Sequence, residues 1–455
     1  MLSAAANHYS IEGVSQTPES FDVDFINLIL RDETIFRLDS IVSHIKITES
    51  IFRSASIVDI GIIDTMDLLD LLKIDGSETI EFKITRKEPG NSQKVLERSV
   101  VIAKIDQYSK ERPGAMTYSF KCVPSYAYLN QYKTISKAVS GDFKNSIKGI
   151  CTGDLGLNVK KDLEISKEGG QNFKAIIPIM KPISAIQWLL RNADDNGTPY
   201  YFFQTSDGKV HLKSKKELIS KGVYSTYNNK PYFEYAKPLV DDSNEQKINY
   251  FNELREKISQ DKSSINLSKY MTGAEGGYAS TVHHIDIANK RKYEPQSFNS
   301  KFDNLLNKNV PVGTDTKISG QPISSLHSGK NYFISNNSLA FAGNEKNYHE
   351  NASSESVAHM YSHKAIQDII SQSFMLMGDF DLHAGSIINL ELLRTAELGE
   401  DFDRQLPFSD LLSGNHLVSS ITHTFNHKRY SMNVEVKKDS FVSSLDKRRI
   451  KFDDE

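Results

Sequence analysis

The sequence predicts a mainly β protein of the α+β class. It has two similar antiparallel β-domains of the barrel or sandwich type, an α+β domain between them, and a loop-rich insertion. Three observations predict this arrangement. The chain has 455 residues, which is more than one typical domain needs. Short apolar runs rich in Ile, Val, Phe and Tyr occupy both ends of the chain, and several of them alternate. Finally, runs near the two ends match one another in order and spacing.

Composition excludes several classes of protein. The formal charge is −3 with a pI near 6.5, so the chain is not a general binder of nucleic acid or of anionic membranes. No apolar run approaches the ~18 residues of a membrane helix. The N-terminus lacks the basic and apolar regions of a signal peptide. Cys122 and Cys151 are far apart and outside any CxxC, which predicts buried reduced thiols in a protein assembled in the cytosol.

Residues 1–20 are small and polar and are interpreted as a flexible arm, and residues 21–133 as the first β-domain. The strands of this domain are predicted in the segments 40–52, 56–64, 78–85, 100–108 and 116–123. The last two segments form a hairpin because Pro113-Gly114 lies between them. The leucines of 68–72 predict a short helix capped by Asp64 or Thr65.

Residues 134–240 are predicted to form the α+β domain. Helical spacing predicts a helix within 134–155. A second helix is predicted over 183–197, with Asn196-Gly197 as its stop signal. The aromatic run 200–203 and the turn at Asp207-Gly208 then predict a hairpin.

The second β-domain is assigned to 241–291 and 353–440, with a helix expected over about 354–373 and a hairpin at 416–439. Residues 292–352 are rich in Asn, Ser, Gly and Lys, and they are interpreted as a loop-rich insertion. Residues 441–455 are interpreted as a charged tail.

The two β-rich regions are similar in pattern. Both GSETIEFKI and GSIINLELL begin Gly-Ser and then alternate, and a hairpin follows about thirty residues later in each region. The residues that correspond are Ile80, Phe82 and Ile84 with Ile388, Leu390 and Leu392, and Met116, Tyr118, Phe120 and Cys122 with Tyr430, Met432, Val434 and Val436. A duplicated domain lets a ring have twice as many equivalent positions as subunits, so three chains would give pseudo-sixfold symmetry.

Motifs for chemistry are weak. His359 and His363 have the i, i+4 spacing of a zinc pair, but Met360 stands where HExxH has its glutamate. We therefore interpret both as exposed helix histidines. The adjacent pair His283-His284 points to opposite faces of a strand and cannot chelate one ion.

Other motifs also lack essential parts. The acidic cluster 397–405, which contains Glu400 and Asp403, is interpreted as a solvated loop. The glycine-rich segment 273–278 lacks the GK[ST] of a phosphate loop and is interpreted as a turn. The sequence therefore predicts no catalytic, cofactor-binding or metal site, and no enzyme.

Three segments in order resemble the baseplate central hub proteins of contractile-tailed, T-even-like bacteriophages. The first is IKITESIFRSASIVDIGIIDTMDLLDLLKIDGSETIEFKI. The second is ISAIQWLLRNADDNGTPYYFFQTSDGKVHLKS, and the third combines FMLMGDFDLHAGSIINLEL with HLVSSITHTFNHKRYSMNVEV. The resemblance covers about residues 21–440 and leaves 292–352 unmatched.

The resemblance implies a structural virion protein located in the tail baseplate. It implies a homotrimer whose two tube-like β-domains per chain form a pseudo-hexameric ring between the trimeric central spike and the tail tube. Neighbouring baseplate wedge proteins would be further partners, and DNA would pass through the lumen in transit. No stable membrane association and no cofactor is implied. Two alternatives stay open: a tail-associated cell-wall hydrolase, and a distal-tail or tube-terminator adaptor with a single ring domain.

Overall fold

The computed structural model describes residues 20–87, 93–112, 114–166, 172–191, 193–195, 197–229, 255–258, 260–264, 273–286, 290–292, 294–299, 305–309, 317–322, 330–335, 352–367, 369–393, 408–426 and 429–442. The predicted arm up to residue 19, the acidic cluster 397–405 and residues 443–455 of the predicted tail lie outside the described residues.

Strands dominate the described residues from one end to the other. The first elements are β1 Asp22–Ile29, β2 Ile35–Arg37, β3 Val42–Ser50, β4 Ile57–Asp64, α1 Leu68–Leu71, β5 Thr79–Lys87, β6 Gln93–Arg112 and β7 Ala115–Val123. The middle elements are α2 Ser125–Asn130, β8 Ile135–Asp142, α3 Phe143–Gly149, a π-helical turn Ile150–Asp154, β9 Leu163–Ile165, β10 Asn172–Met180, α4 Pro182–Leu190, β11 Asp194–Asp195, β12 Thr198–Gln204, β13 Val210–Ser214 and α5 Lys215–Ser220. The last elements are β14 Val223–Asn228, β15 Gln260–Ser264, β16 Ala279–Asp286, β17 Arg291–Lys292, β18 Gln296–Asn299, β19 Lys317–Ile318, β20 Gln321–Pro322, β21 Asn331–Ser335, α6 Ala352–Ile366, β22 Ile370–Met377, β23 Ile387–Glu391, β24 Gly414–Asn426 and β25 Arg429–Lys438.

One sheet of 13 strands contains most of the strands from both ends of the chain. Its order is β15-β22-β25-β24-β3-β4-β7-β6-β5-β1-β2, and β23 joins β14 to β24 beside this path. A smaller four-stranded sheet, β11-β12-β13-β9, lies in the middle segment. The predicted mainly β, α+β class is confirmed, and the described strands do not close into a barrel.

Two sets of six strands in the large sheet have the same order. We call β1, β3, β4, β5, β6 and β7 unit 1, and β14, β15, β22, β23, β24 and β25 unit 2. Numbered by their position in the chain, the strands of each unit lie in the order first, fourth, fifth, sixth, third, second. Only the pairing of the first and fourth strands differs, because it is antiparallel in unit 1 and parallel in unit 2. The predicted similarity of the two β-regions is therefore present in the strand order.

The units also match residue by residue. The fifth strand of each carries a bulge at the same place, between Ile102 and Lys104 in β6 and between Val418 and Ser420 in β24. A row of paired residues crosses each unit. In unit 1 the row begins three positions beyond Ile102 and runs Ile105–Phe120–Ile60–Ile45. In unit 2 it begins three positions beyond Val418 and runs Ile421–Val434–Phe374–Asp261. Because bulges interrupt a ladder at a defined residue, a shared bulge fixes the alignment.

The larger hydrophobic core is common to both units. It includes Phe82 and Phe120 from unit 1 and Phe374 and Val434 from unit 2, each at most 1% exposed. A second core fills the middle segment, where Phe143 packs edge-on against Tyr200 with ring centroids 5.0 Å apart. The two units therefore bury their apolar faces together.

The short helix in unit 1 is held by the residue that the sequence indicates. The Asp64 carboxylate accepts hydrogen bonds from the backbone N–H groups of Met66 (2.8 Å) and Leu68 (2.7 Å), although Asp67 occupies the N-cap position itself. Tyr118 also donates to Asp64, at 3.0 Å. Asp64 thus binds the first N–H of α1, but the predicted cap position is wrong, because the N-cap residue is Asp67 and its side chain makes no cap hydrogen bond.

Two helix predictions need correction. Residues Ile135–Asp142, predicted as helical, form β8 and pair with β10. The helix begins after them because the Asp142 side chain caps it by accepting from Lys144 N at 2.9 Å. Helix α4 ends at Leu190, before the predicted stop at Asn196-Gly197, and strand β11 (Asp194–Asp195) instead pairs with β12.

The predicted helix of about 354–373 is also too long. Helix α6 ends at Ile366, and Ile370–Met377 is strand β22 with alternating buried residues. Strand propensity and alternation in ISQSFMLM decide this boundary, because Phe374 and Leu376 enter the common core.

Candidate functional site

The histidine pair of α6 is not on the surface. His359 is 8% and His363 3% exposed, so the predicted exposure is wrong. Helix α6 packs against β12, and Tyr201 of β12 donates to Gln367 at 2.5 Å. Burial and the nearby Lys215 lower the pKa of His363 to about 3, so this imidazole is neutral at neutral pH. In the part of the chain that the structure describes, no group of three or more His, Cys, Asp and Glu could hold a metal ion.

Ser206, His383 and Glu49 lie together but do not form a catalytic triad. The Ser206 hydroxyl lies 3.2 Å from His383 Nδ1, and Glu49 Oε2 lies 3.6 Å from the same nitrogen. A triad needs the acid on one ring nitrogen and the nucleophile on the other. Ser206 is also only 2% exposed, which leaves no room for a substrate.

Both cysteines are buried free thiols, as predicted. Burial raises the pKa of Cys151 to about 12, and burial raises the pKa of Cys122 as well. A thiol with a raised pKa is a poor nucleophile, so both residues act as packing groups. The segment 273–278 forms the predicted turn, closed by a hydrogen bond from Gly276 N to Gly273 O at 3.0 Å. No helix within the described ranges is long and apolar enough to cross a membrane.

A buried polar cluster joins both units to the middle segment, and we call it the Glu49 junction. Glu49 at the end of β3 is fully buried. It accepts from Ala384 N at 2.6 Å and from Ser206 N, which belongs to the turn between β12 and β13. Arg98 of β6 donates to the carbonyls of Thr205 (3.3 Å) and Ser206 in the same turn. The junction thus fixes the tip of the middle hairpin against unit 1.

The electrostatics of the Glu49 junction favour a charged carboxylate. Burial raises the pKa of Glu49, but His383 and His423 outweigh it and hold the pKa of that carboxyl well below its usual range. Burial would lower the pKa of His383, and Glu49 and Asp207 raise it above its ordinary value instead. A charged hydrogen bond network of this kind holds three parts of the chain in one geometry.

A second buried cluster, which we call the Asp439 junction, lies after β25. Asp439 and Lys215 are both fully buried and form an ion pair at 2.7 Å. Asp439 also accepts from Leu306 N at 3.0 Å. Next to it, Phe441 and Asn309 exchange backbone hydrogen bonds of 2.7 and 3.1 Å. Residues 305–309 of the predicted insertion therefore dock onto the end of unit 2.

The two units meet at a strand seam. After its bulge, β24 leaves β23 and pairs with β3, from Ser420 opposite Ser50 to Asn426 opposite His44. The hydroxyls of Thr48 and Thr422 face each other at 3.3 Å. The seam between β3 and β24 makes the sheets of the two units continuous.

The corresponding part of β6 differs in its surroundings. Strand β6 pairs with β5 only as far as Val101, and beyond Ile102 its only strand neighbour among the described residues is β7. Lys104, Gln107 and Lys110 are exposed, and Tyr108 is 60% exposed. Strand β15, the unit 2 counterpart of β3, likewise pairs on one side only within the described residues.

Two solved structures of tail proteins are similar to this fold. No family model and no curated relative matches the chain. A tail protein from Neisseria meningitidis MC58 matches with a TM-score of 0.51 and 10% identity, covering 92% of this chain and 97% of that one. The 43 kDa tail protein of prophage MuSo2 from Shewanella oneidensis matches with the same TM-score and identity, covering 92% and 99%.

The chain shares its fold with these two tail proteins. Because identity is only 10% over nearly the whole of both chains, the likeness is carried by strand order and packing. The resemblance on the hub-like segments is confirmed at the level of fold. No role was predicted for Glu49, which lies in the segment ITES, or for Arg98, Lys215 and Asp439. Their one sequence signal is charge inside otherwise apolar strands, which becomes informative only once burial is known.

Proposed function

We propose that this chain is a structural baseplate hub of a contractile tail, located in the virion. Three copies form a ring with six equivalent β-units, one side of which carries the trimeric central spike and the other side the tail tube. Baseplate wedge proteins are neighbours, and DNA crosses the lumen in transit. The division of the chain at residues 133, 240, 291, 352 and 440 stays part of this proposal.

The single observation that supports it most is the repeated unit. Two copies of one strand order, with one bulge position, lie in a continuous sheet. A subunit that joins a threefold object to a sixfold one needs two equivalent units per chain, because closed rings place equivalent surfaces at equal rotations. The two matched tail proteins share the fold over 97% and 99% of their lengths, which supports a tail role.

The same observation disfavours the single-ring adaptor, because such a protein needs only one unit. The hydrolase alternative has no support in the described geometry, since the nearest Ser-His-Glu arrangement has two groups on one imidazole nitrogen. The weakly negative chain also suits a conduit, because a strongly basic lumen would hold DNA by its phosphates.

Light scattering after size-exclusion chromatography tests the proposal, first on the full chain and then on the chain co-expressed with the spike protein of the same tail. We expect a mass of three chains, alone or with the spike. A strictly monomeric chain at high concentration in both samples would contradict the proposal. Peptidoglycan release by the purified chain, lost in Glu400→Gln or Asp403→Asn, would replace it with the hydrolase.

A further inference from the structure

Strands β6 and β15 are the counterparts of the two strands that form the seam. The seam pairs the fifth strand of unit 2, β24, with the second strand of unit 1, β3. The fifth strand of unit 1 is β6 and the second strand of unit 2 is β15. Both lack a neighbour on the corresponding edge within the described residues. The chain thus carries one complete seam and the two halves of another.

We infer that these two halves pair between copies, with residues 104–110 of β6 joining β15 of a second copy of this chain. This inference rests on the proposed ring and specifies its interface. Seams within a chain and seams between chains then alternate around the ring, and every unit has the same neighbours.

The register follows from the shared bulge. Lys104 and Ser420 each directly follow the shared bulge and are equivalent. Asp106 and Thr422 each lie two residues further on, so they are equivalent as well. In the partner strands β3 and β15, Ile45 and Asp261 are the last residues of the matched rows and are equivalent. Three residues further on, Thr48 therefore corresponds to Ser264. Because Thr422 is opposite Thr48 in the seam, Asp106 is expected opposite Ser264.

A second shift in β6 fixes another pair. Strand β6 has one extra residue between Asp106 and Ser109, so Ser109 is equivalent to Thr424 and is expected opposite Lys262. The next position sets Lys110 opposite Asp261, which are residues of opposite charge. Opposite charges that face each other across an antiparallel pair favour that register.

The exposure of residues 104–110 supports the inference that this edge of β6 is covered in the assembled oligomer. In β24 the side chains of Ile421, His423 and Phe425 are at most 1% exposed, and β3 pairs with these residues. The matching residues 104–110 of β6 are all exposed or partly exposed, and Tyr108 is 60% exposed. A long open strand edge promotes pairing with another chain, and charged residues such as Lys104 and Lys110 limit pairing in wrong registers.

A cysteine pair tests the register in the full-length chain. Asp106→Cys combined with Ser264→Cys should link most chains through disulfides on a non-reducing gel, and each single variant should link almost none. The matched in-chain control is Thr48→Cys with Thr422→Cys, which should close a disulfide within one chain. In a second control, Asp106→Cys with Ser263→Cys, the one-residue slip turns the second position to the opposite face, so linking should fall at least tenfold.

Hydrogen exchange of the unsubstituted protein gives a second measurement, which does not depend on whether a substituted chain folds. Amides of residues 104–110 should exchange at least tenfold more slowly in the assembled oligomer than in diluted monomer. An oligomer by light scattering without this protection and without the 106–264 link would overturn the edge pairing and leave the proposed hub standing. Protection that appears only when a different tail protein is added would overturn the second copy as the occupant. A chain that stays monomeric with its spike would overturn both.

Discussion

Units 1 and 2 have the same strand order and the same bulge, yet their fifth strands have different surroundings. Residues 420–426 of β24 pair with β3, and Ile421, His423 and Phe425 among them are at most 1% exposed. The matching residues 104–110 of β6 are all exposed or partly exposed. The difference arises because the chain supplies one partner strand itself. Equivalent strands in one chain therefore need not have the same number of paired edges, and an unpaired edge indicates where another chain is expected.

The units also differ in what their strands carry. The Asp59–Lys121 ion pair of unit 1 corresponds to Ser373 and Glu435 in unit 2. His416 of β24 corresponds to Val100 of β6. Substitutions at matched positions can therefore show which properties belong to the fold and which to one unit.

The largest expected effect comes from the common core. Ile60→Ala in unit 1 should lower the free energy of unfolding by about 2–5 kcal/mol, and Phe374→Ala in unit 2 by about 3–5 kcal/mol. Because both side chains enter one core, each variant should shift one urea transition that involves both units. Ile176→Ala, at a side chain that is 75% exposed, is the control and should change little. Two separate transitions, with only one shifted by each variant, would show that the units unfold independently.

A smaller loss is expected at the Glu49 junction, which has no matched charge cluster in unit 2 within the described residues. Glu49→Gln places an amide NH2 where both carboxylate oxygens accept from backbone N–H groups. One donor then faces another, which should cost about 1–3 kcal/mol in urea unfolding. The exposed Glu435→Gln is the matched control. Equal stability of the two variants would contradict the role of Glu49.

The pH dependence of stability should distinguish His416 from Val100. Burial and Lys438 lower the pKa of His416 to about 3. The unfolded chain takes up this proton near pH ~6.5, so it binds more protons than the folded chain, and stability falls as the pH drops below about 6.5. His416→Val copies unit 1 and should reduce the slope of unfolding free energy against pH, between about pH 6 and pH 4, by on the order of 1 kcal/mol per unit. His363 remains as a further source of slope. An unchanged slope would mean that His416 is already protonated in the folded state.

The smallest effect is expected at the partly exposed pair of unit 1. Asp59→Ser copies Ser373 of unit 2 and removes the ion pair with Lys121. Since both side chains retain some exposure, the loss should be about 0.2–1 kcal/mol. The difference from the unsubstituted chain should shrink in ~1 M salt, where screening is strong. A loss that salt does not change would indicate a packing effect.

Part of this fold can be predicted from local pattern. The alternation of ETIEFKIT, the Asp207-Gly208 hairpin and a short helix over the leucines of 68–72 were all predictable, because each depends on residues a few positions apart. The segment 135–142 was not, because its partner β10 lies about thirty residues further on and converts a helix-like spacing into a strand. His359 and His363 were placed on the surface because helix spacing alone does not show what packs on each face.

The sequence by itself determined the α+β, mainly β class and the existence of two matching regions, since alternation and turn residues act locally. It also contained the equivalence of Ile80 with Ile388 and of Phe120 with Val434, which the pairing registers support. Only the tertiary structure decided that the units share one sheet and one core, that Glu49 and Asp439 are buried, and that β6 keeps an open edge. These depend on contacts between residues far apart in the chain, whose free energy depends on burial and on a partner strand rather than on neighbouring residues.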